Sequence, residues 1–221
     1  MLTPHDWQEN MRQRASFVES KLAHGLPVLM VSLDSGILAF TMRRETPKIY
    51  EIYDRLIYGA IGQQSDIENL RISSLEFTHK EGYERSEEDV TIKRVVAAMS
   101  EPLKKNFNDY QVAPLVVRSI FAEVAEAPEK DIYYLMNYDG DYKLTTQSIA
   151  IAGTPNEEQS TKNQLAEIAG QKMSDSTIKK CGSIYDDLVK EMDIDSAKLI
   201  PEIILMERNP VSEKRFKVLS S

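Results

Sequence analysis

Helical stretches come in pairs along this chain, and that pairing narrows the architecture more than any motif does. One amphipathic helix over residues 4–24 is followed by four strands, two helices, three strands, two helices and two strands. Single helices between strands would signal right-handed crossovers and a parallel sheet. Paired helices instead join antiparallel strands end to end. The strands at 28–33 and 37–42 are apolar at nearly every position, so both of their faces need cover. An α+β four-layer αββα sandwich hides all of this at once: two antiparallel sheets face each other, a helical pair covers each outer surface, and one extra helix stands at the N-terminus. No repeat or low-complexity linker divides the sequence, so residues 1–221 read as one domain.

Local signals support the boundaries. Thr3 and Pro4 suit a helix start, Asp6 sits where the helix dipole favours a negative charge, and Gly25 suits a helix end. Trp7, Met11, Ala15, Val18 and Leu22 form one stripe, fitted either to the body of its own domain or to a neighbouring subunit. Asp34-Ser35-Gly36 turns the first hairpin and Asp139-Gly140 a later one. Further strands are expected at 49–52, 56–61, 115–124, 132–137, 142–151, 202–207 and 215–219. Ser65-Asp66 and the Thr154-Pro155-Asn156-Glu157 box suit helix starts, and Pro102 predicts a kink in the helix around it.

Charge and motif content exclude several chemistries. The chain carries 27 Lys and Arg against 35 Asp and Glu, a formal charge of −8, which disfavours broad nucleic-acid binding. Its longest early apolar run, 26–31, is too short for a membrane span, and the N-terminus shows no signal segment. The one cysteine, Cys181, forms no internal disulfide and fits a reducing cytoplasmic setting. His5, His24 and His79 are scattered, and no metal-binding or phosphate-binding motif occurs, so neither metal nor cofactor is expected.

Lys48-Ile49-Tyr50-Glu51-Ile52-Tyr53-Asp54-Arg55-Leu56 through Gly62, then Asp66-Ile67-Glu68-Asn69-Leu70-Arg71, resembles the proteasome α-type subunits, most closely the bacterial ones. Gly82-Tyr83-Glu84-Arg85, Phe121-Ala122-Glu123-Val124, Tyr138-Asp139-Gly140 and Pro201-Glu202-Ile203-Ile204 with Arg208-Asn209-Pro210 extend the likeness over nearly the whole chain. The family's fold is the αββα sandwich of the N-terminal nucleophile hydrolases, with an additional N-terminal helix in α-type chains. The Tyr-Asp-Arg motif that archaeal and eukaryotic α subunits carry near the N-terminus is replaced by Thr3-Pro4-His5-Asp6-Trp7.

The resemblance implies a scaffold. Related β-type chains begin their first strand with a nucleophilic threonine. Here Leu26-Pro27 stands at that place, Thr41-Met42-Arg43 replaces the expected acid, and only Lys48 remains. In α-rings such a lysine lines a pocket between subunits that receives the C-terminal carboxylate of a ring-shaped AAA ATPase activator, with Gly25 and Gly62 in its wall. Read without the resemblance, Lys48 is a strand-start lysine paired with an acid and Gly62 a tight turn. The implied function is a non-catalytic subunit of a homo-heptameric ring. That ring would stack on β-type rings, template their assembly and admit unfolded protein, with Leu2, Thr3, Pro4, His5, Asp6 and Trp7 as the gate. The Trp7, Met11, Ala15, Val18 and Leu22 stripe would then lie at a subunit interface. The alternatives are a self-processed peptidase using Thr3, Ser16 or Cys181, or a single-ring proteasome-like homologue.

Overall fold

Alternating burial along the strands builds the molecule. The computed structural model describes residues 4–153, 155–194, 198–211 and 214–219. Its elements are α1 (Pro4–Leu22), β1 (Val28–Leu33), β2 (Gly36–Arg43), β3 (Ile49–Tyr53), β4 (Leu56–Gly62), α2 (Gln64–Glu84), α3 (Ile92–Asn108), β5 (Val117–Glu123), β6 (Ile132–Met136), β7 (Tyr142–Thr146), β8 (Ser148–Ile151), α4 (Pro155–Ala166), α5 (Asp175–Glu191), β9 (Ile200–Glu207) and β10 (Phe216–Val218). One sheet has the order β10-β9-β2-β1-β8 and the other β3-β4-β5-β6-β7. Every strand pairing is antiparallel.

Period two sorts each strand between two cores. Val28 and Met30 of β1, with Ile37 and Ala39 of β2, face Ile57 and Ile61 of β4 and Ile120 and Ala122 of β5, filling the space between the sheets. Leu29, Val31, Leu33, Leu38 and Phe40 point the other way, onto Leu165 of α4 and Cys181, Tyr185 and Leu188 of α5. Leu56, Tyr58 and Phe121 meet Ile67 and Leu70 of α2 and Val95, Val96 and Met99 of α3. The result is an αββα sandwich. Burial of β1 at all six of its positions follows from cover on both faces.

Helix α1 closes one end of the inter-sheet layer. Val18 and Leu22 are 0% and 2% exposed and belong to the same core as Val28, Ile61 and Ile120. Arg14 fixes the helix polar-side down: it donates to the carbonyls of Asn106, Phe107 and Val112 at 3.0, 2.9 and 2.8 Å. The first two lie in the last turn of α3, where helical donors run out, and the Asn106 carbonyl also takes the Asp109 N–H at 3.2 Å. Tyr138 also donates its hydroxyl to Glu19 at 2.9 Å.

Two expectations are corrected here. Residues 142–151 form two strands, because Gln147 adopts a positive φ of 69° and sends β8 into the opposite sheet. The Gln147 carbonyl is held there by the Ser32 N–H at 2.7 Å. Asp66 does not cap α2; its carboxylate accepts the N–H of Val116 at 2.8 Å, and the helix begins at Gln64. Pro102, where a kink is expected, lies within α3, which runs on to Asn108. The Thr154 half of the expected capping box lies outside the described residues.

At the far end of the sandwich from Lys48, Arg208 and Asp131 form a two-pronged ion pair at 2.7 and 2.9 Å, with side chains 3% and 0% exposed. Arg208 also donates to the carbonyls of Leu33, Asp34 and Ala125. Asp131 accepts the Ala125 N–H at 2.8 Å, so the buried charges are surrounded by partners. Among the described residues no helix is long and apolar enough to cross a membrane.

Candidate functional site

The inter-sheet layer ends in polar groups beside the start of β1. Glu202, Ile204 and Met206 alternate on β9 and share one face, so the apolar row Met206-Ile204 finishes in a carboxylate. Glu202 pairs in register with Thr41 of β2. Across the gap, the head of β3 presents Lys48 and Ile49. Glu202 is 6% exposed and accepts the Lys48 N–H at 2.9 Å and the Ile49 N–H at 3.1 Å. A strand of one sheet is thereby stapled to an edge strand of the other.

Lys48 turns its side chain toward the head of β1. Its Nζ donates to the Leu26 carbonyl at 3.2 Å. Among the described residues no Asp or Glu oxygen lies within ion-pair distance of that ammonium, so the acid that meets Lys48 holds its backbone rather than its charge. Burial pulls the Lys48 pKa from 10.5 to about 8; the Glu202 charge opposes this and the Arg44 charge adds to it. Burial also raises Glu202 above the usual carboxylate range, against the N–H groups of Lys48 and Ile49 and the charges of Arg43 and Lys48. Both groups are thus pushed toward neutrality by the same loss of water.

Gly25 and Gly62 lie close to this lysine. The Lys48 carbonyl accepts the Ala60 N–H at 3.2 Å, two residues before Gly62. A Cβ on Gly25 would stand 3.3 Å from the Cβ of Ile61. At Gly62 φ is +133°, and a Cβ would fall 2.0 Å from the Val116 carbonyl oxygen. Gly62 is therefore required by its own backbone, as the tight-turn reading expects.

The head of β1 itself offers no nucleophile. Leu26 and Pro27 are buried there, and Thr41 Oγ1 donates to the Pro27 carbonyl at 2.5 Å. Of the other candidates, Ser16 is exposed on α1, within the helix and not at the head of β1. Cys181 is 1% exposed under α5, and burial pushes its thiol up to about 12, which leaves almost no thiolate at neutral pH. Thr3 lies outside the described residues. Among the described residues no group of three or more His, Cys, Asp or Glu side chains is placed to hold a metal ion.

A family model described as "Proteasome subunit" matches residues 28–161, which include β1, Lys48 and Gly62. The chain belongs to the proteasome-subunit family. Its relatives are α-type and bacterial. Over 148 residues it is 33% identical to the proteasome subunit alpha of Xylanimonas cellulosilytica, spanning 66% of this chain and 60% of that relative. The corresponding protein of Acidothermus cellulolyticus is 29% identical over 66% of this chain and 63% of its own length. That of Streptomyces avermitilis is 27% identical over 213 residues, 95% of this chain and 83% of the relative. The first two matches thus span somewhat under two thirds of the relatives' length.

The remaining expected site residues separate into groups. Trp7 is 40% exposed, Met11 and Ala15 are half-buried, and Val18 and Leu22 are wholly committed to the chain's own core. The stripe therefore does not present one continuous face to a neighbour; only its N-terminal half is open. His5, Asp6 and Trp7 are exposed, whereas Leu2 and Thr3, and the side chain of Pro4, lie outside what is described. Reading the chain residue by residue passes over Glu202, which is 154 positions from Lys48. Its signal is an acid that continues an alternating row of inter-sheet residues, Glu202-Ile204-Met206.

Proposed function

We propose that this chain is a non-catalytic α-type proteasome subunit whose Lys48 site receives the terminal carboxylate of a ring-shaped ATPase activator. One observation carries the reading: at the head of β1, where a nucleophile would have to stand, Lys48 instead contacts the carbonyl of a buried leucine. A lysine so placed has nothing to activate. It is a point charge with three donors, one of them engaged by Leu26, and is suited to a carboxylate.

In this reading residues 1–221 act as one unit in a cytoplasmic, homo-heptameric ring that stacks on β-type rings and templates their assembly. Residues 1–8 form the gate at its axis through which unfolded protein enters. The open half of the α1 stripe, Trp7 with Met11 and Ala15, meets the adjoining subunit. Lys48→Ala should abolish ATPase-stimulated protein degradation by the particle reconstituted with β-type subunits, while cleavage of small peptides persists. Undiminished stimulation would remove Lys48 from the site.

A further inference from the structure

We infer that Glu202 is a positioning residue of the Lys48 site, holding the lysine's main chain through two backbone N–H groups and setting a negative charge beside an ammonium that it leaves uncaptured for an incoming carboxylate. The inference rests on the docking role of Lys48 proposed above.

The geometry is one-sided in an informative way. Glu202 reaches from β9 across to β3, and both of its oxygens are occupied by consecutive backbone N–H groups, those of Lys48 and Ile49. That arrangement fixes where the Lys48 Cα stands. It also leaves the ammonium uncaptured by the acid, with only the Leu26 carbonyl as its acceptor among the described residues. A direct ion pair would have blocked an external carboxylate; a backbone-bound acid attracts the charge without occupying its donors.

The surrounding charges define the balance. Arg44 weighs against the Lys48 charge, and Arg43 acts on Glu202. Tyr50, next on β3, feels both Glu202 and Glu68 of α2, and its hydroxyl donates to the Pro47 carbonyl at 2.6 Å. Arg71 is tied to Glu68 at 2.8 Å and stacks over the Tyr50 ring at 5.0 Å. Glu202 is thus the acid that directly holds the Lys48 backbone. Neutralising it leaves the arginines unopposed and releases the Lys48 proton at lower pH.

Trace labelling of the intact protein with acetic anhydride, read at Lys48 by peptide mass spectrometry across pH, tests this directly. The wild-type midpoint is expected near the value set by burial, about 8. In Glu202→Gln it should fall by roughly one pH unit. Glu202→Asp, which keeps the charge, should stay near wild type and guards against a variant that fails to fold. An unmoved midpoint in Glu202→Gln, or an equal fall in Glu202→Asp, overturns the role of Glu202. A second arm repeats the labelling with acetyl-Gly-Gly-Leu as the free acid and as its amide. Slower labelling with the acid alone, roughly threefold or more at a saturating peptide concentration, is the expected result. Equal labelling with both forms overturns the docking reading of Lys48, whatever the midpoint does.

Discussion

At the scale of single residues, burial makes Lys48 a cost to stability, set against the docking role proposed for it. Its amine holds a proton up to pH 10.5 in the ordinary state but only to about 8 in the folded chain. The unfolded chain therefore binds more protons between those values, and this residue's cost is present in full below about pH 8 and fades as the pH rises toward 10.5. Lys48→Met should accordingly stabilise the chain at pH 7, by up to about 3 kcal/mol, with the advantage gone near pH 10.5. Urea unfolding at the two pH values measures it. A loss of stability at pH 7 would mean that Lys48 is a structural lysine. Asp131 behaves in the opposite sense. Asp131→Ala strands the buried Arg208 guanidinium and should cost about 3–5 kcal/mol, seen as a fall in thermal midpoint of very roughly 6–20 °C.

At the scale of elements, α1 does two jobs with its two halves. Its last two turns belong to the inter-sheet core through Val18 and Leu22, and Arg14 ties its middle to the end of α3. Val18→Asp should therefore unfold the chain itself, costing at least about 4 kcal/mol, rather than release folded monomers from a ring. Circular dichroism separates these outcomes. Trp7 sits a turn and more beyond that anchor and is 40% exposed, so Trp7→Ser should change monomer stability by no more than about 0.5 kcal/mol. If the chain assembles into a ring, the effect falls on assembly, and size-exclusion chromatography of the variant should show weakened rings. Rings of unchanged size and stability would exclude the open half of the stripe from the interface. The β7–β8 break illustrates a different element-level effect. No glycine or proline marks Gln147, and its left-handed turn is sustained by a partner in β1 that local pattern does not reveal.

At the scale of the whole molecule, the sandwich places Glu202 and Arg208 near opposite ends of one strand, β9, and both tie that strand to neighbouring parts of the fold. If residues 1–8 gate a ring, deleting them should speed degradation of an unfolded protein by the assembled particle several-fold without the ATPase; unchanged rates would argue against gating. Layer order, helix pairing and the lack of a nucleophile at Leu26-Pro27 were legible from residue order, because periodicity reports which faces need cover and an absent hydroxyl is absent in any fold. The division of α1 into buried and open halves was not legible, since Val18 and Trp7 carry the same apolar signal and differ only in what lies opposite. Nor was Glu202. Residue order places an acid within an alternating strand; only the closure of one sheet over the other brings it to the Lys48 backbone, strips both groups of water and shifts them toward neutrality.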